Sequence, residues 1–143
     1  MAGHGARVNV DSAGTHGDFH AGQAPDARSC RHALRRGYDL SKLRARRIVA
    51  EDFLSFDLIL AMDQENLDWL RAVCPPPFAY KLRPFMSFAR NHPADQIPDP
   101  YNGGADVFEL VLDLIEDAAA GLVESLASGQ LSKAALRNLP VAQ

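Results

Sequence analysis

The chain has 143 residues, a length that suits one compact domain with a single buried core. Hydrophobic residues make up 47% and charged residues 23%, and a formal net charge of -3 gives no electrostatic case for binding nucleic acid or an anionic membrane. No run approaches the roughly 20 apolar residues that span a bilayer. The first seven residues lack the apolar stretch of a secretory signal, and two cysteines, Cys30 and Cys74, are too few for a disulfide framework, so the cytoplasm is the expected compartment.

Arg7-Val8-Asn9-Val10-Asp11 alternates apolar and polar residues and predicts a short strand that runs into the loop Ser12-Ala13-Gly14-Thr15. Residues 16–24 carry Gly, His and Asp and read as irregular; His16 and His20 stand four apart with no third ligand nearby, so no metal site is expected. Pro25-Asp26 opens a helix through Cys30, Ala33 and Leu34 that stops at Gly37. Residues 41–48 form a basic connector and 51–54 a single helical turn. Residues 57–63 are a near-continuous apolar run between carboxylates, the pattern of a strand buried on both faces of a parallel sheet. Asp63 caps a helix over 64–73 that carries Leu67, Trp69 and Leu70 and ends before Pro75-Pro76-Pro77. Residues 79–86 predict another strand, with Pro84 suited to its edge or end. A polar loop over 91–101 leads to a long helix, about 105–127, with Val107, Leu110, Val111, Leu114, Ala118 and Leu122 as one apolar stripe. A short tail, 129–143, completes the single domain. The alternation of strands and helices predicts an α/β three-layer sandwich around a parallel sheet.

Four segments, in order, carry a family resemblance. They are Asp11-Ser12-Ala13-Gly14-Thr15, Pro25-Asp26-Ala27-Arg28, Phe56-Asp57-Leu58-Ile59-Leu60-Ala61-Met62-Asp63 with Asn66, and Ile97-Pro98-Asp99-Pro100-Tyr101. Together they resemble the low-molecular-weight protein tyrosine phosphatases over about residues 7–126. The resemblance implies a flavodoxin-like sheet, no cofactor, and hydrolysis of phosphotyrosine on a protein substrate through a cysteinyl-phosphate intermediate. In that chemistry a thiolate attacks phosphorus from a C-x5-R-[ST] loop whose amides and arginine hold the phosphate. An aspartic acid then protonates the leaving phenolate, which matters because the phenol has a pKa of roughly 10.

Carried onto this sequence, the resemblance makes Asp99 the general acid and base. Aspartates before proline are also common in solvated turns, but the flanking Ile97-Pro98 and Tyr101-Asn102-Gly103-Gly104 favour the family role. Tyr101 and Phe19 would wall the aromatic ring of the substrate, although a plain loop aromatic fits Phe19 equally well. Ser12 and Asp63 would brace the phosphate loop from behind. Arg28 and Arg46 read as surface or ion-pair residues rather than ligands.

No cysteine fits the nucleophile. Cys30 and Arg36 satisfy C-x5-R, yet no strand leads into Cys30, no glycine loosens the segment between them, and Gly37 follows where Ser or Thr is required. Cys74 has Tyr80, not arginine, six residues on. The family's first strand, phosphate loop and first helix would stand ahead of Arg7, and such a unit needs roughly 30 residues. The expectation is therefore that these 143 residues lack it and turn over no aryl phosphate unless the true start lies upstream. The other reading is a catalytically dead relative that binds a partner, or a gene remnant. An arsenate reductase of similar fold fits the Asp-Pro-Tyr segment less well. In the family's strand order, 2-1-3-4, the first strand is central, and its loss leaves a gap of about 10 Å. A stable monomer in the family geometry is then not expected, and the escapes are closure of residues 8–11 onto 58–62 or strand exchange between chains.

Overall fold

In the computed structural model, residues 8–15, 22–100, 103–132 and 135–136 are described. Asp26 caps the first helix, α1 (Ala27–Arg35): its carboxylate accepts from the Arg28 amide at 2.7 Å and satisfies a donor that has no partner within the helix. Gly37, at a φ of 90°, turns the chain out of the helix in the left-handed conformation that glycine adopts without strain. A short helical turn, α2 (Asp52–Ser55), follows the basic connector.

Strands β1 (Ile59–Ala61) and β2 (Leu82–Pro84) lie parallel, with Ile59 opposite Leu82 and Ala61 opposite Pro84. Both are shorter than the sequence predicts. Pro76 and Pro77 start a 3₁₀ helix, Pro76–Lys81, that occupies the first half of the second predicted strand. Pro84 has no amide to continue the ladder, and Phe85–Phe88 form another 3₁₀ turn. A three-residue partner then limits β1 to three residues.

Of the strand predicted over 7–11, residue 7 lies outside the described residues and residues 8–11 form no strand. Residues 8–13 carry no strand, and Val8 and Val10 are 49% and 88% exposed. One isolated parallel bridge, Gly14 to Arg47, is the nearest approach to a ladder. Closure of residues 8–11 onto 58–62 is not seen either, because among the described residues β1 pairs with β2 alone. With no neighbouring ladder, alternation by itself does not hold a strand.

Helix α3 (Gln64–Val73) begins at Asp63, whose carboxylate accepts from the Asn66 amide at 2.7 Å. Strand alternation sends Ile59 and Ala61 to the α3 face of the sheet and Leu60 to the other. On the first face Phe53, Ala61, Leu67, Leu70, Cys74 and Leu82 form one core. On the second, Phe85, Met86, Ile97, Leu114 and Ala118 form another beneath Leu60. The last two come from α4 (Ala105–Ala127), and α1 packs against α4. Helix, parallel sheet and helix make the three-layer α/β arrangement. The α4 stripe holds at Leu114 and Ala118, whereas Leu110 is 44% exposed and Phe108 is buried instead, stacked on His32. No helix among the described residues is long and apolar enough to cross a membrane.

Candidate active site

Three of the four sequence segments meet at the C-terminal end of β1. The loop Ser12-Ala13-Gly14-Thr15 is pinned first: the Gly14 amide donates to the Arg46 carbonyl at 2.8 Å, and the Ile48 amide donates back to Gly14 at 3.1 Å. Arg46 reinforces this from its side chain, gripping both oxygens of Asp52 at 3.0 and 3.1 Å and reaching Asp11 at 3.2 Å. That fork holds the Asp52 carboxyl below the usual carboxylate range. Arg46 is thus an ion-pair residue, as the sequence suggests, and Arg28 is another, paired with Asp26 at 3.1 Å.

From the pinned loop, the Thr15 hydroxyl accepts from the Asn66 side chain at 3.0 Å. Asn66 also donates its amide to Asp63, so one residue ties the loop to the start of α3. The third segment arrives from the far side. Ile97 donates its amide to the Met62 carbonyl at 2.8 Å, and its side chain is buried in the α4-facing core. Next to it, the Gln96 side chain accepts from the Gln64 amide at 2.8 Å, another unpaired donor at the α3 N-terminus.

Asp99 stands exposed two residues beyond this anchor. Asp63 is half-buried as the α3 cap, and Ser12 is exposed with its amide on the Asp11 carboxylate at 2.8 Å. Phe19 and Tyr101 lie outside the described residues, as do His16 and His20. No described group of His, Cys, Asp and Glu side chains could hold a metal ion.

Cys30 sits inside α1, with its amide on the Asp26 carbonyl at 3.0 Å and its Sγ 4.0 Å from the Pro25 carbonyl. Its C-x5-R arginine is committed elsewhere. Arg36 pairs with Glu109 at 2.8 Å, with Asp113 at 2.9 Å and with Glu116, all on α4. These carboxylates raise the guanidinium's pKa above its ordinary value. Cys74 is buried at the end of α3, where burial pushes its thiol up.

Residues 1–132 match the model of the low molecular weight phosphotyrosine protein phosphatase family. The chain belongs to that family. It is 41% identical over 127 residues to a Synechocystis protein named for the same family, covering 88% of this chain and 80% of that protein. A low molecular weight protein-tyrosine-phosphatase of Streptomyces coelicolor is 37% identical over 131 residues, covering 87% and 77% of the two chains. The crystal structure of a protein tyrosine phosphatase from Entamoeba histolytica superposes with a TM-score of 0.80 at 37% identity, covering 84% of this chain and 76% of that one. The fold of this low molecular weight phosphatase family member is therefore the flavodoxin-like α/β fold.

Three residues have structural roles that the sequence motifs do not show. Thr15 and Asn66 were motif letters there, and the structure makes them a bridge. Asp117 was one polar position on a long helix, yet it is buried and faces the segment that leads to Asp99. The usable signal was its place three residues after Leu114 and next to Ala118, inside the apolar stripe.

Proposed function

We propose that these residues form the acid side of a phosphotyrosine hydrolysis centre acting on protein substrates. Asp99 hands its proton to the departing phenolate as the phosphorus–oxygen bond breaks. In the second half-reaction its carboxylate takes a proton from the water that attacks phosphorus and releases the thiolate. Tyr101 and Phe19 flank the substrate ring, and Ser12 and Asp63 brace the phosphate loop. The observation that carries this reading is the Ile97–Met62 bond, which brings the acid segment to the strand end where Thr15, Asn66 and Asp63 already meet.

Neither cysteine of these 143 residues is the nucleophile. Cys30 has a helix around it rather than a loop of free amides, and Arg36 is neutralised by α4 carboxylates. A thiolate in buried Cys74 is disfavoured. The nucleophile belongs to the family's C-x5-R-[ST] loop.

Turnover of p-nitrophenyl phosphate tests both halves. The 143-residue polypeptide is expected to give none above buffer, and Cys30→Ser is expected to change nothing. With a strand, C-x5-R-[ST] loop and helix from a family relative fused ahead of Met1, turnover is expected, and Asp99→Asn should lower kcat on phenyl phosphate by about 10²–10⁴. Turnover by the 143 residues that Cys30→Ser abolishes would overturn the exclusion of Cys30. A fused form indifferent to Asp99→Asn would overturn the role of Asp99.

A further inference from the structure

We propose that Asp117 of α4 is a positioning residue for the acid, clamping the start of the segment whose far end presents Asp99. The proposal rests on Asp99 being the acid. The Asp117 side chain is 5% exposed. One of its oxygens accepts from the Arg90 amide at 3.0 Å, and the other accepts from the Asn91 amide at 2.9 Å and meets His92 Nδ1 at 2.8 Å. Every donor comes from three consecutive residues of one segment. A carboxylate buried in the middle of a helix is costly unless its oxygens are satisfied, and here that segment satisfies them.

A second observation places the same face of α4 against the same stretch of chain. One turn beyond Asp117, a Cβ added to Gly121 would collide with the Phe88 carbonyl oxygen. The helix backbone therefore lies directly on residue 88, two residues before the clamp. At the other end of the segment, Ile97 is fixed to Met62 and Gln96 to Gln64. Residues 90–97 are thus strung between α4 and the end of β1. Asp99 follows after two residues, a reach of at most about 7 Å. Slack at either anchor therefore moves the carboxyl that has to meet the leaving oxygen, and misplacement of about 1 Å is enough to cost catalysis.

Amide hydrogen exchange of the fused form tests the clamp, read together with the carboxyl ¹³C signal of Asp99. In Asp117→Asn the Arg90 and Asn91 amides should exchange about tenfold faster. The Ile97 amide should also accelerate, by about threefold or more, and the Asp99 signal should shift, while the Leu70 amide of α3 stays unchanged. If Arg90 and Asn91 accelerate but Ile97 and Asp99 do not respond, Asp117 holds only its own turn and the proposal fails. Should Asp117→Asn not fold, His92→Ala removes one arm of the clamp from a partly exposed site; a smaller change in the same direction is expected, and none at Ile97 would overturn the proposal. In the fused form, Asp117→Asn should lower kcat/KM more for phenyl phosphate than for 2,4-dinitrophenyl phosphate, a leaving-group preference that a general loss of active protein would not produce. If Asp99→Asn shows no such leaving-group preference, the role of Asp99 falls while the exchange result still decides the clamp.

Discussion

The Ile97 amide donates to the Met62 carbonyl across 2.8 Å, and that bond joins the segment bearing Asp99 to the strand that leads into Asp63. Ile97 is also buried against Phe85, Met86, Leu114 and Ala118. Its backbone fixes the height of the segment along β1, and its side chain fixes the depth. The residue two positions before Asp99 is thus held in two independent ways, which suits the proposed role of Asp99 as a group that meets a leaving oxygen within hydrogen-bond reach.

The bridge between the Thr15 hydroxyl and Asn66 should be measurable by itself. Asn66→Ala removes a partly buried side-chain hydrogen bond while leaving the α3 cap at Asp63 in place. A loss of about 0.5–1.5 kcal/mol is expected from the urea midpoint, with the slope unchanged. Thr15→Val should cost about as much, and the double variant should cost less than the sum.

Gly121 has no room for a side chain. Ala at this position would drive a methyl into the Phe88 carbonyl, so α4 must lift from the turn that follows β2. Gly121→Ala should destabilise by about 1–3 kcal/mol, even though alanine favours helix elsewhere. A rise in thermal midpoint would show that the contact yields freely.

Acid should loosen the Asp117 clamp in a defined window. Its carboxyl, ordinarily at 3.8, is held at about 2, chiefly by the Arg90 amide, with His92 and Asn91 adding to it against the opposing effect of burial. A folded pKa below the unfolded value means that the unfolded chain takes up the proton more readily. The stabilisation is therefore complete above about pH 3.8 and is lost as pH falls through about 2. Urea unfolding followed over this range should show a steeper fall in stability for the parent than for Asp117→Asn. Parallel curves would contradict the clamp's electrostatics.

Leu82 is 1% exposed and packs on β2 against the α3 face of the sheet. Leu82→Ala should cost about 2–5 kcal/mol in urea unfolding. A much smaller loss would mean that this core repacks around the cavity.

What was legible in the sequence follows from the range of the forces involved. Asp26 and Asp63 sit next to the helices they cap, so α1 and α3 could be read from neighbouring letters. The long α4 was legible from its apolar repeat over many turns. Strands were not, because their length depends on a partner: 57–63 looks like a seven-residue strand and pairs over three, limited by Pro84 on the other chain segment. Val8 and Val10 alternate as a strand should and lie exposed without a neighbouring ladder. At the site, Asp99 and Asp63 stood out through family motifs. The side-chain links Thr15 to Asn66 and Asp117 to residues 90–92 join positions 51 and 25–27 residues apart, a relation that only the folded chain makes visible.

The leaving-group dependence of the fused enzyme tests the role of Asp99 most directly. With Asp99 in place, log kcat/KM, which reports the step that releases the phenol, should change little as the leaving phenol's pKa rises, because the proton is delivered as the bond breaks. In Asp99→Asn the same plot should become steep, with phenyl phosphate suffering most and 2,4-dinitrophenyl phosphate least. Equal slopes for the two proteins would mean that Asp99 does not protonate the leaving group, and the account of this site would be wrong at its centre.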